Sequence, residues 1–116
     1  MTITTTATAK RAPHSGMDYG DWVLNWWWPA ALTKLSENTR ANYRSTLNIY
    51  VLPYFESVAL DEITRTGIRQ WIASMHDDGV RVSTADSAIR VFRTTMMAAM
   101  VKGLIPSNPL VGVRAS

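Results

Sequence analysis

The chain has 116 residues, 47% of them hydrophobic, and a net charge of +3, which suits one domain around a single core. It has no cysteine, which excludes a disulfide framework and a thiolate metal site. No window approaches the ~20 apolar residues of a membrane span, and residues 1–16 lack the apolar run of a signal peptide.

Residues 1–16 are rich in Thr and Ala, with Lys10, Arg11 and Pro13, and read as a disordered lead-in or linker. A helical unit is expected over residues 17–109. Its first helix carries Tyr19, Trp22, Val23 and Trp26 at i, i+3, i+4 and i+7, one apolar face of a regular α-helix. Asp18 and Asp21 lie at its start, on the favourable side of the helix dipole. Pro29 is expected to kink or end it, because the residue before a proline is pushed out of the α region. On this pattern Trp26 is core. Trp27 and Trp28 rotate away, and at least one faces solvent as a candidate contact for another domain or protomer.

The second helix starts at Ser36, a good N-cap, and Pro53 is expected to end it. Tyr43, Leu47, Tyr50, Val51 and Tyr54 form its inner stripe. A connector follows from Phe55 to Asp61, with Val58 and Leu60 plugging the core. The third helix has Thr64 as N-cap, and Ile63 and Ile68 fit a hydrophobic staple. Ile68, Trp71, Ile72 and Met75 face inward, and Asp77-Asp78-Gly79 ends it. The fourth helix is expected to start near Ser83, with Asp86 as a capping-box mimic. Its core stripe is Ala85, Ile89, Phe92, Met96, Ala99 and Met100. Gly103 and Pro106 stop it. No segment alternates with period two for long enough to be a strand, so the expected fold is all-α, a four-helix bundle with short connections.

Enzyme chemistry finds no footing in these residues. His14 lies in the lead-in. His76 and Asp77 are helix neighbours pointing about 100° apart, so they do not converge on one metal ion. There is no Gly-rich phosphate loop and no Ser-His-Asp set. No cofactor, metal site or catalytic residue is expected.

The polar faces carry the remaining signal. Nine of the twelve cations are arginine, which favours bidentate contacts with phosphates or bases. The outer side of the second helix holds Ala41, Asn42, Ser45 and Asn48, flanked by Arg40 and Arg44. That of the fourth holds Thr84, Ser87, Val91 and Thr94, flanked by Arg90. Such small-residue faces fit close approach to a duplex or packing against another helix. The second reading makes the chain a helical protein–protein interaction domain using a Trp27/Trp28 surface.

Four pieces, in this order, give the chain a family likeness. They are Leu35-Ser36-Glu37-Asn38-Thr39-Arg40-Ala41-Asn42-Tyr43; Val51-Leu52-Pro53 followed by Leu60-Asp61-Glu62-Ile63-Thr64; Ile68 and Trp71 before Gly79; and Ser83-Thr84 through Asn108-Pro109. The chain resembles the core-binding, SAM-like domain of tyrosine recombinases, the phage integrase family. The resemblance implies a module that clamps one face of a recombination core site on double-stranded DNA. By position, Thr39, Ala41, Asn42 and Ser45 would enter or flank a major groove. Ser83 and Thr84 would hold phosphate, Ser87 would reach toward bases, and Arg40, Arg44, Arg81 and Arg90 would contact the backbone.

The resemblance also implies partners and a place: the catalytic domain of the same parent chain, other recombinase protomers on DNA, no membrane, and a cytoplasmic, nucleoid-associated location. The family's catalytic Arg, Lys, His-x-x-Arg and nucleophilic Tyr find no counterpart here. They are expected beyond residues 110–116, read as the start of a linker. Residues 1–16 are too short for an arm-binding domain.

Overall fold

The structure, a computed structural model, describes residues 17–115. The lead-in expected over residues 1–16, with His14, lies outside the described residues.

Helix α1 spans residues 19–32, and its first turn is closed by a distant piece of backbone. The Tyr19 N–H donates to the Val58 carbonyl at 2.9 Å and the Gly20 N–H to the Glu56 carbonyl at 3.0 Å. Two donors that a helix start leaves orphaned are thereby satisfied by the connector after the second helix. Gly20 makes this approach possible. A Cβ there would lie 2.7 Å from Glu56 Cγ and 3.0 Å from the Glu56 carbonyl oxygen.

The middle of α1, Trp22–Trp27, is a π-helix, and the Trp28 N–H bonds the Val23 carbonyl five residues back. Residues five apart now share a face. Trp27 therefore joins Trp22 in the core at 8% exposure, while Trp26 is 56% exposed. This reverses the expectation from a regular 3.6-residue period, which put Trp26 inside and Trp27 outside. Trp28 is half-buried. The Trp27 ring stacks on Tyr43 with centroids 6.1 Å apart. Nor does Pro29 end the helix. Trp28 keeps α geometry at φ −62 and ψ −48, and an α segment Trp28–Leu32 carries the proline in its first positions. The wide turn just ahead of the ring carries the chain past the missing N–H.

The same device recurs in α2, residues 37–55. Ser36 caps it as expected, its Oγ accepting from the Thr39 N–H at 3.3 Å. A second π segment, Leu47–Val51, precedes Leu52–Phe55 with Pro53 in its first turn. Pro53 thus does not end α2. Phe55 is buried in its last turn, and Tyr54, expected on the inner stripe, is 43% exposed. Leu47 and Val51 are buried and Tyr43 and Tyr50 half-buried.

A single 3₁₀ turn, Leu60–Glu62, leads to α3, Arg65–Asp77. Thr64 caps α3 by accepting from the Gly67 N–H at 3.1 Å. Ile63, Ile68, Trp71 and Met75 are buried and Ile72 half-buried, as the staple and stripe predict. Gly79 at φ +83 ends α3: its N–H reaches the His76 carbonyl and the Val80 N–H reaches Met75, both at 3.0 Å. These paired bonds close the last carbonyls, and the positive φ favours glycine.

Helix α4, Val82–Val101, is the central element. Ala85, Ile89, Phe92, Met96 and Ala99 are buried as expected, and Met100 is half-buried. Ala88, Val91 and Thr95 are buried too. Val91 was expected on the outer face, but α4 packs against α1, α2 and α3, which widens its buried arc. The Phe92 ring lies 4.9 Å from Tyr19, 4.8 Å from Phe55 and 5.4 Å from Trp71. Gly103 closes α4 with the same paired bonds as Gly79. The described residues form an all-α, four-helix unit in which the only β pairing is an isolated bridge between Asp18 and Ala59.

One buried polar network joins α1 to α4. Thr95 Oγ1 donates to the Phe92 carbonyl at 2.7 Å, so the Tyr19 hydroxyl, 2.6 Å away, must donate to Thr95. The Trp22 indole N–H donates to the Thr95 carbonyl at 2.9 Å. Burial pushes the Tyr19 phenol far above its ordinary titration range, so it stays neutral and acts as a donor.

Two stability outcomes follow from these contacts. Thr95→Val leaves the Tyr19 hydroxyl buried without an acceptor and should cost about 1–3 kcal/mol. The double change Tyr19→Phe with Thr95→Val should cost less than the sum of the singles; additive losses in urea melts would refute the network. Gly20→Ala should destabilise by about 1–3 kcal/mol, because the backbone of Glu56 has to retreat from the added methyl. An unchanged urea midpoint would contradict the close approach.

Candidate nucleic-acid interface

The start of α4 differs from its expectation. Arg81, not Ser83, is the N-cap residue, extended at φ −66 and ψ 149, and no side chain caps the helix. Asp86 does not fold back, because its Oδ1 accepts the Ala115 N–H at 2.9 Å. The first intrahelical bond runs from the Ala85 N–H to the Arg81 carbonyl at 2.9 Å. The N–H groups of Val82, Ser83 and Thr84 therefore point out of the helix end without an intrahelical acceptor. Ser83 sits in this turn, exposed, with Thr84 half-buried beside it.

Ser83, Ser87, Arg90, Thr94, Met97 and Val101 run along the outer side of α4 at helical spacing. The chemistry of that stripe changes midway, polar to Thr94 and apolar beyond. Ser87 Oγ donates to the Ser83 carbonyl at 3.1 Å and Thr94 Oγ1 to the Arg90 carbonyl at 2.9 Å. Each hydroxyl has spent its proton on its own helix and presents lone pairs outward.

On α2 the structure exposes Ala41, Asn42, Ser45 and Asn48, as the sequence implied. Thr39 is half-buried, and its Oγ1 accepts from Ser36 Oγ at 2.9 Å. The two arginines of this helix have structural work. Arg40 Nη1 donates to the Leu32 carbonyl at 2.9 Å and to that of Leu35 at 3.4 Å, closing the end of α1. Arg44 lies over the Trp28 ring, 5.5 Å from its centroid, a cation–π contact. Arg81 and Arg90 are exposed and hold no side-chain partner among the described residues.

The proposed Trp27/Trp28 contact surface does not form, since Trp27 is in the core and Trp28 lies under Arg44. Trp26 is the exposed ring. It lines an apolar groove of ≈ 480 Å³ with Ala30, Lys34, Tyr43, Val101 and Lys102.

Sequence reasoning missed the role of the C-terminal segment. Ile105, Asn108, Leu110 and Val113 are buried. Asn108 Nδ2 donates to the Arg93 carbonyl at 3.1 Å, and its Oδ1 accepts from the Leu110 N–H at 3.0 Å. Arg93 donates to the carbonyls of Leu110 at 3.1 Å and Val113 at 2.8 Å. Arg65, from α3, donates to that of Val111 at 2.8 Å. The spacing of Leu110 and Val113 was the available signal: two apolar residues three apart after Asn-Pro.

No three His, Cys, Asp or Glu side chains among the described residues are grouped to hold a metal ion. No helix there is long and apolar enough to cross a membrane.

A phage integrase N-terminal SAM-like domain family matches residues 20–76. A chain named a prophage phiRv2 integrase, from Mycobacterium tuberculosis, is 30% identical over 94 residues. That match covers 81% of this chain and 24% of the relative, so this chain spans about a quarter of it. The integrase-like domain from Bacillus cereus superposes with a TM-score of 0.79 at 22% identity, over 90% of this chain and 86% of that one. A lambda integrase dimer bound to a COC′ core site does so with a TM-score of 0.76 at 20% identity, over 85% of this chain and 36% of that one. Residues 20–76 thus carry the match to the phage integrase N-terminal SAM-like domain family, and the all-α arrangement of α1 to α4 is the fold of these integrase structures.

Proposed function

We propose that this chain is the DNA-binding, core-site module of a phage-type site-specific tyrosine recombinase. It positions double-stranded DNA for strand exchange by a separate catalytic domain of the same parent chain. One observation carries the reading above all. The outer faces of α2 and of the first half of α4 present small polar side chains, free helix-end N–H groups and two uncommitted arginines, and almost no Lys or Glu. Such a surface approaches a duplex without a thick charged fringe, and its donors suit phosphate oxygens.

Within that reading the residues divide. Ser83 and Thr84 hold a phosphate at the start of α4, with Arg81 and Arg90 on the backbone to either side. Asn42, Ser45 and Ser87 face base edges, Ser87 as an acceptor because its proton is spent. Ala41 lets the helix approach closely. Arg40 and Arg44 act mainly by holding α1 against α2, and Thr39 serves the Ser36 cap. Neighbouring recombinase protomers on the same DNA are the further partners, as in the lambda integrase dimer, and the site of action is the cytoplasmic nucleoid.

Binding to a duplex should be weak and steeply salt-dependent, with four to six phosphate contacts giving a log K against log salt slope of roughly −4 to −5. A flat response in an anisotropy titration would refute the electrostatic surface. Arg90→Ala should weaken binding to every sequence alike and flatten that slope by about 1. Asn42→Ala should instead relax preference at one or two base pairs by about 1–3 kcal/mol. Equal losses on core-site and random duplexes for both variants would remove the division between backbone and base contacts.

A further inference from the structure

The C-terminal segment does more than leave the domain. Val113 is buried, with its carbonyl held by Arg93 at 2.8 Å, and the Ala115 N–H is held by Asp86 at 2.9 Å. Arg114 lies between these two anchors. Its backbone is fixed on both sides while its side chain is exposed. The tail and α4 together line a shallow, open concavity of ≈ 310 Å³ formed by Asp86, Ile89, Arg90, Arg93, Val113 and Arg114.

The charges of this hollow are unbalanced. Three guanidinium groups face one carboxylate. Asp86 has turned one oxygen to the Ala115 N–H, and no ion pair joins it to the arginines among the described residues. Arg93 has committed Nε and one terminal nitrogen to backbone carbonyls, which orient it without cancelling its charge. Arg90 and Arg114 have no partner among the described residues. Arg90 and Arg114, both without partners, line the same hollow, and guanidinium forks are suited to the paired oxygens of a phosphodiester.

We propose that Arg90 and Arg114 form a phosphate clamp that exists only because the tail is docked on α4. The inference rests on the DNA-binding reading and adds to it a contact supplied by the segment that leaves the helical unit. It also gives the anchors a purpose. Asp86, Arg93 and Asn108 are positioning residues that hold the tail in register, so that a residue more than twenty positions beyond Arg90 meets the same phosphate.

Two measurements test it. The first titrates inorganic phosphate while following arginine Nε–Hε NMR signals. Arg90 and Arg114 should shift together with saturation, and exposed Arg69 on α3 should not. Uniform shifts of all three, or none at Arg114, would overturn the clamp. The second titrates a duplex oligonucleotide against salt. Arg114→Gln should flatten the slope by about 1, the release expected for one phosphate, and Arg69→Gln should leave it unchanged. A duplex bound with the same slope by the parent and Arg114→Gln would overturn the clamp and leave the DNA-binding reading standing. Phosphate shifts at Arg90 and Arg114 without any duplex binding would support the anion site and refute the DNA reading.

Discussion

Two π-turns, each set just before a proline, govern the rest of this molecule. A proline inside a helix removes one N–H and collides with the carbonyl four residues back. Here Pro29 and Pro53 sit in continuous helices because Trp22–Trp27 and Leu47–Val51 run with the wider hydrogen-bond pattern. The change of register decides which large side chains are inside. Trp27 is turned onto Tyr43, and Phe55 is brought within 4.8 Å of Phe92 and 5.7 Å of Trp71. Without that shift the aromatic centre of the core would lose Phe55 to the surface and gain Tyr54, whose hydroxyl would need a partner.

The core so formed leaves α4 with two distinct sides. Its inner side is committed to Phe92 and to Thr95, whose hydroxyl accepts a hydrogen bond from the Tyr19 hydroxyl and whose carbonyl accepts from the Trp22 indole N–H. The outer side is polar near the start and apolar near the end, where Trp26 stands over a groove. A helix held this firmly can present short side chains to a duplex, because Ser and Thr have little reach and depend on accurate placement of the backbone. The exposed N-terminal half of α4 is therefore the part assigned to DNA in the proposed function, and its placement is set by the side of the helix buried in the core.

Arginine shows the division of labour most clearly. Arg40, Arg65 and Arg93 donate to backbone carbonyls and act as braces between segments far apart in sequence. Arg44 covers Trp28. Arg81, Arg90 and Arg114 have no side-chain partner among the described residues. Composition counts all of these as one basic signal, but a guanidinium that closes a helix end is not available for a phosphate in the same way. The family match agrees with the fold, and the arginines without partners are the donors on that fold on which the proposed DNA contacts rest.

The sequence alone determined the features that depend on groups a few residues apart. Ser36 and Thr64 cap helices because each hydroxyl reaches an N–H three residues on. Gly79 and Gly103 end helices because a positive φ is needed where the last carbonyls are closed. The stripe from Ala85 to Ala99 and the four-piece pattern of the family were legible for the same reason. Tertiary structure decided the rest. The choice of Trp27 over Trp26 and of Phe55 over Tyr54 came from packing that stretched two helices out of the regular period. Asp86 looked like a cap but serves Ala115, and Arg40 spends one nitrogen on the Leu32 carbonyl, a brace its spacing did not announce. A hydrogen bond to a residue eight or twenty-nine positions away leaves no local spacing to read. Only the folded chain, in which such groups compete for partners, settles which one each side chain takes.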